Sequence, residues 1–161
     1  MTTRTGKFHL FLKKMITKRR KKRYQGIKQL SEFRALIRMM VIALECWIMR
    51  EKIIWDYQYA KTQSPIERKL YNLLKEKGYR VKTQVPCGKF FIDIAIPRYK
   101  LAIECDGKAY HSSPDQKRHD DRKNRYLRKN GWSVLRFSGS DINSKLGSVF
   151  KRIESKIRKA A

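Results

Sequence analysis

Asp93 and Glu104 stand in the segment FFIDIAIPRYKLAIECD, residues 90–106, where most neighbouring side chains are apolar. The alternation on either side of Pro97 predicts two strands joined by a short connection. A strand turns successive side chains to opposite faces, so Phe90, Ile92, Ile94 and Ile96 are expected on one face and Asp93 on the other. In the second strand Leu101, Ile103 and Cys105 share a face, and Ala102, Glu104 and Asp106 share the opposite one. With residues 97–100 as the connection, Ile96 pairs with Leu101 and Asp93 falls opposite Glu104. Side chains so placed have Cβ atoms about 4.5–5.5 Å apart, where like charges destabilise a sheet. A proton or a cation between them removes the conflict. Oxygen ligands of this kind suit Mg²⁺ or Mn²⁺ rather than zinc. The alternative, a solvated sheet face carrying acids by chance, fits poorly with Phe91, Ala95 and Ala102 as their neighbours.

The elements that must hold this pair are legible on both sides of it. Ser64-Pro65-Ile66-Glu67 has the spacing of a helix start, with Ser64 as N-cap and Glu67 closing a capping box. Ile66, Leu70, Leu73 and Leu74 give that helix a core face, and Gly78 ends it. Residues 79–85 alternate as a first strand, with a turn at 86–88. A second helix is expected from Ser113-Pro114 to just before Gly131, then a last strand over residues 132–137. A final helix from about Asp141 buries Ile142, Leu146, Val149, Phe150, Ile153 and Ile157. The predicted class is α/β with a mixed sheet, an αβββαβ core over residues 61–161.

Residues 1–60 read as a separate basic, helical extension. Residues 13–23, KKMITKRRKKR, form a cationic arm whose Lys18, Arg19, Arg20, Lys21, Lys22 and Arg23 are candidate phosphate contacts. Residues 29–58 read as one helix, with Phe33, Leu36, Ile37, Met40, Val41, Leu44, Trp47 and Ile48 at helical spacing. Packing within the chain is the preferred use of that face; a second copy or another protein is the alternative. Charges at Arg38, Glu45, Arg50, Glu51 and Lys52 interrupt the apolar run, so it does not read as a membrane span.

The chain of 161 residues has a formal net charge of +26. Such a field makes nucleic acid the expected partner, ahead of anionic lipid. DNA is preferred, and RNA stays open. In the helix from Pro114, Lys117, Arg118, Arg122 and Lys123 outnumber core residues and are further candidate phosphate contacts, as is Arg136 on the last strand. The cysteines 46, 87 and 105 are odd in number and never in CxxC spacing, which points to a reducing, cytoplasmic setting. No secretory signal is legible in the first residues. Cys105, His111 and His119 match no common zinc spacing.

The ordered series Ser64-Pro-Ile-Glu67, Gln84, Ile92-Asp93-Ile94, Ala102-Ile-Glu104-Cys-Asp106-Gly107, His111, Asp120-Asp121-Arg122, Leu127, Gly131-Trp132 and Val134-Leu-Arg136-Phe137 resembles the PD-(D/E)xK nuclease superfamily. Within it, the series is similar to the small endonuclease-like domains related to very-short-patch-repair endonucleases. The resemblance spans residues 63–142. It implies a restriction-endonuclease-like fold and Mg²⁺-dependent phosphodiester cleavage, as an endonuclease or nickase acting on DNA, in repair or host-defence settings. It also implies that Asp93 and Glu104 hold the metal, with the backbone carbonyl of Cys105 a further ligand. The superfamily's lysine belongs two residues after Glu104, where this chain has Asp106. Either Asp106 joins the metal shell, or Lys108 or His111 supplies the positive or proton-transferring group. Glu67 is explained by its capping box and carries a metal- or water-orienting role as the alternative. The competing function is an inactive nucleic-acid-binding module of the same fold.

Overall fold

The computed structural model describes residues 15, 25–26, 29–30, 32–50, 55–107 and 114–160. Among these, residues 15, 25–26, 29–30 and 32–48 are helical, and α1 denotes the stretch 32–48. It is followed by α2 (Tyr57–Lys61), α3 (Pro65–Glu76), β1 (Lys82–Cys87), β2 (Phe90–Ile96), β3 (Leu101–Asp106), α4 (Pro114–Lys129), β4 (Ser133–Ser138), α5 (Gly139–Ser144) and α6 (Leu146–Arg158). The sheet runs β1-β2-β3-β4, antiparallel except for the parallel β3–β4 pair that α4 connects.

Two apolar layers sandwich the sheet. On one face Ile94, Ile96, Leu101, Ile103 and Phe137 pack against Ile66, Leu70 and Leu74 of α3, Ile142 of α5, and Val149, Ile153 and Ile157 of α6. On the other, Ile92, Ala95 and Ala102 pack against Leu127 of α4. The α3 start forms as its sequence requires: Ser64 Oγ accepts the Glu67 N–H, and Glu67 accepts the Gln63 N–H at 2.9 Å. Helix α2 is tied to the core by Gln58, whose side chain accepts the Thr83 N–H at 2.8 Å, and by Asp56, which accepts from Tyr71 and Lys75.

Four elements differ from the sequence expectation. Residues 29–58 are not one helix: α1 stops at 48, and Arg50 takes a φ of 57°. The first strand begins and ends later, with Pro86 inside it; β1 is an edge strand, where a missing N–H costs no ladder bond. The final helix is two helices that meet at Lys145, because Ser138 caps α5 by accepting the Asp141 N–H at 3.1 Å. Finally, Phe90, Ile92, Ile94 and Ile96 do not share a face. Ile92 lies in the α4 layer and Phe90 packs its ring on Tyr126 of α4, whereas Ile94 and Ile96 lie in the opposite layer.

The strand changes phase at Asp93. Pairing with β1 runs Lys82↔Ala95 and Thr83↔Ile94, then resumes at Val85↔Ile92, so Gln84 and Asp93 are left out of the ladder. Gln84 has a φ of 48°, a left-handed conformation strained for any residue with a side chain. Its amide is anchored at both ends, donating to Glu67 Oε2 at 3.1 Å and accepting from Gln63 Nε2 at 3.1 Å.

Helix α1 meets the core through its smaller side. Ala35 is buried and Arg38 donates to the Thr62 carbonyl, while Phe33, Leu36, Ile37, Met40, Leu44 and Trp47 are exposed. The expected burial of that larger apolar face within the chain is therefore not what forms. Among the described residues no helix is long and apolar enough to cross a membrane.

Candidate active site

The two acids meet where the sheet opens. Pairing of β2 with β3 runs from Ile96↔Leu101 to Ile94↔Ile103, the expected register. At the next step the Cys105 N–H donates to Asp93 Oδ2 at 2.9 Å. The aspartate side chain thereby enters the place of a main-chain acceptor, fixed at the mouth of the opening. Glu104 lies on the same side of β3 as Ala102 and is buried, with 3% of its side chain exposed.

Lys123 of α4 reaches into this opening. Its ammonium pairs with Glu104 Oε2 and lies 4.0 Å from Asp93 Oδ1. Its place in a run of cations predicts a phosphate contact for Lys123, but the helix turns it inward. Asp120, Lys123 and Leu127 follow a 3,4 spacing and so share one side of α4, which the buried Leu127 pins to the sheet. That spacing was the available signal, obscured by the run of cations around it. Lys117, Arg118 and Arg122 are exposed on the outer side, with Arg118 3.4 Å from Asp115.

Burial is the largest influence on Glu104, and the negative charge of Asp93 adds to it. Together they push its carboxyl from 4.5 up to about 7, against the opposing pull of Lys123 and Arg136. Its Oε1 is buried and has no hydrogen-bond partner. An orphaned carboxylate oxygen beside a second acid is the feature a hard cation would satisfy. Among the described residues no three His, Cys, Asp or Glu side chains converge as a metal cluster. The Cys105 thiol is raised by burial and by the surrounding acids, which keeps it neutral.

Asp106 is turned to a different partner. Arg136 of β4 lies 3.3 Å from Asp106 Oδ2 through Nε and 2.8 Å from Asp120 Oδ2 through Nη1. Arg136, expected as a phosphate contact, instead lies between carboxylates and links the end of β3 to α4. Asp120 thus pairs across to β4 rather than along its own helix. Burial raises the Asp106 carboxyl, with Arg136 opposing.

Glu67 is buried and accepts from the Gln63 N–H, Ser64 Oγ and Gln84 Nε2. Burial and the nearby Asp93 charge raise its carboxyl. Its oxygens thus hold the strained Gln84 beside Asp93, without direct contact to the Asp93–Glu104–Lys123 group among the hydrogen bonds described. Lys108, His111, the Ser113 cap and Lys18, Arg19, Arg20, Lys21, Lys22 and Arg23 lie outside the described residues.

Comparison with known proteins agrees with this architecture. An uncharacterized protein of Haemophilus influenzae is 30% identical over 94 residues, 56% of this chain and 77% of that protein. The uncharacterized protein YcjD of Escherichia coli is 28% identical over 90 residues, 54% of this chain and 74% of its own length. Among solved structures, the catalytic domain of the homing endonuclease I-Bth0305I superposes with a TM-score of 0.52 at 22% identity, covering 61% of this chain and 98% of that domain. The likeness is one of fold: a mixed four-stranded sheet flanked by helices, of the restriction-endonuclease-like kind. The family REase_MTES_1575 matches residues 66–157, from the first turn of α3 to the last of α6, and the chain belongs to this restriction-endonuclease-like family.

Proposed function

We propose that the protein is a metal-dependent DNA endonuclease or nickase, with Asp93 and Glu104 as its metal-holding carboxylates. The observation that carries the reading is the pair itself: two acids brought together at a gap in the sheet, one of them buried with an unpartnered oxygen. Asp93 and Glu104 would hold a Mg²⁺ or Mn²⁺ ion, which when bound would supply Lewis-acid stabilisation of the phosphate and an acidified water. The Cys105 carbonyl, phosphate oxygens and waters would complete its shell.

The chain's own residues do the rest. The Cys105 N–H holds Asp93 oriented by charge-assisted hydrogen bonding. Glu67 and Gln84 maintain the kink that exposes Asp93. Arg136 keeps Asp106 and α4 in place. Lys117, Arg118 and Arg122, with the arm at 18–23, contact backbone phosphates and position the duplex without reading its sequence.

One observation favours a second reading, an inactive binding module: Lys123 already pairs with Glu104. Supercoiled plasmid separates the two. Incubation with Mg²⁺ or Mn²⁺ is expected to yield nicked or linear product, and EDTA to prevent it. Plasmid that is bound and left intact across both metals would support the binding module instead.

A further inference from the structure

Lys123 is unlike the cations around it. Arg118, Arg122, Arg125, Arg128 and Lys129 on the same helix are exposed, whereas the Lys123 side chain retains 14% of its surface and ends between two acids. Burying an ammonium requires a partner, and Glu104 Oε2 provides it. The partnership leaves an acid oxygen over, since Glu104 Oε1 is buried without a hydrogen bond. The local charge is unbalanced in the same direction. Among the described residues, Asp93, Glu104, Asp106 and Asp120 form ion pairs with Lys123 and Arg136 alone, which leaves this described group a formal charge of −2 in a chain of net +26. One divalent cation matches that deficit. Arg136 already lies within ion-pair distance of two carboxylates, one on β3 and one on α4, so among the described residues Lys123 is the cation left to exchange.

We infer that Lys123 is the cationic catalytic group of the site and works by exchange. In the metal-free protein it holds Asp93 and Glu104 together; on metal binding it gives up Glu104 and its ammonium turns to the scissile phosphate. There it stabilises the charge that develops on the phosphate oxygens. A lysine absent from the strand position two residues after Glu104 is thus replaced from the helix. This inference rests on the nuclease reading.

The test uses the full chain with Lys123→Met. In mildly alkaline buffer without DNA, Mn²⁺ titration calorimetry is expected to show affinity about tenfold tighter than wild type, because no ammonium competes for Glu104. Plasmid cleavage by the same variant is expected to fall roughly a hundredfold, in kcat rather than in KM for DNA. Lys123→Arg, which keeps the charge, retains part of the activity. Lys123→Gln, a neutral donor to Glu104, gives the same two results if the Met variant does not fold. Unchanged or weaker Mn²⁺ binding overturns the exchange, and wild-type cleavage rates overturn the phosphate contact. A wild type that cuts nothing, beside a neutral variant that binds Mn²⁺ more tightly, sinks the nuclease reading and leaves the exchange standing.

Discussion

The Asp93 carboxylate accepts the backbone N–H of Cys105 at 2.9 Å, one step beyond the last paired residues of β2 and β3. On its other side Asp93 faces Gln84, which is also out of the ladder. The acid therefore sits at a break in both pairings of the same strand. The open sheet gives its outer oxygen access to a third group, and the hydrogen bond to β3 keeps it from swinging away. Two mutations test what this arrangement is for. Asp93→Asn and Glu104→Gln should each reduce metal-dependent plasmid nicking by about a hundredfold or more, with DNA affinity in a gel-shift assay nearly unchanged. Equal loss of binding would mean that the acids serve the scaffold.

Glu104 should leave a signature in the pH dependence of stability. Its folded-state pKa is about 7 against 4.5 for the ordinary carboxyl. The native state therefore holds its proton more tightly than the unfolded chain. Glu104 contributes most favourably below pH 4.5, and that contribution is lost as pH rises through about 7. In EDTA, Glu104→Gln should stabilise the protein by on the order of 1–2 kcal/mol above neutrality, a gain that fades in acid. Adding Mn²⁺ should raise the melting temperature of wild type and not of the variant.

Leu127 anchors the helix that carries Lys123. It is fully buried against Ile92, Ala95 and Ala102, and α4 has few other apolar contacts. Leu127→Ala should cost about 2–5 kcal/mol in denaturant unfolding. Hydrogen exchange should rise along α4 before it rises in α3.

Gly88 is required by α4 as well as by its turn. It has a φ of 58°, and a Cβ there would lie 2.1 Å from the Tyr126 hydroxyl oxygen. Gly88→Ala should destabilise by about 2–3 kcal/mol. Adding Tyr126→Ala should relieve the steric part of that loss, so the double variant will fall short of additivity in a mutant cycle.

The outer face of α4 governs affinity rather than chemistry. Replacing Lys117, Arg118 and Arg122 together by alanine should weaken DNA binding at all sequences and reduce the slope of log K against log salt by about 2–3. Cleavage at saturating protein should change little.

Much of this fold was legible because its local signals agree. The Ser64–Glu67 capping box, the hairpin connection at Pro97 and the Ile96↔Leu101 register all appear as spacing predicts. The register points to the nearness of Asp93 and Glu104, although the ladder stops at Ile94↔Ile103 and the two are not paired in it. What spacing missed is tertiary. The phase change at Asp93 depends on Gln84 adopting a left-handed backbone, held by Gln63 and Glu67 from a helix start far away in sequence. Lys123 was hidden among solvated cations, since composition reports how many charges a helix carries and not which one turns inward. The outward apolar side of α1 was misjudged because amphipathic spacing identifies a face without saying what meets it.

β3 receives its second neighbour only from β4, which follows it in the chain across α4. The carboxylates are thus made first, and the ammonium and guanidinium that steady them arrive with later-synthesised segments. A nascent chain interrupted in the crossover would bear the acids without their counterions. Order of synthesis alone would then delay any competent site until the final strand has joined the sheet.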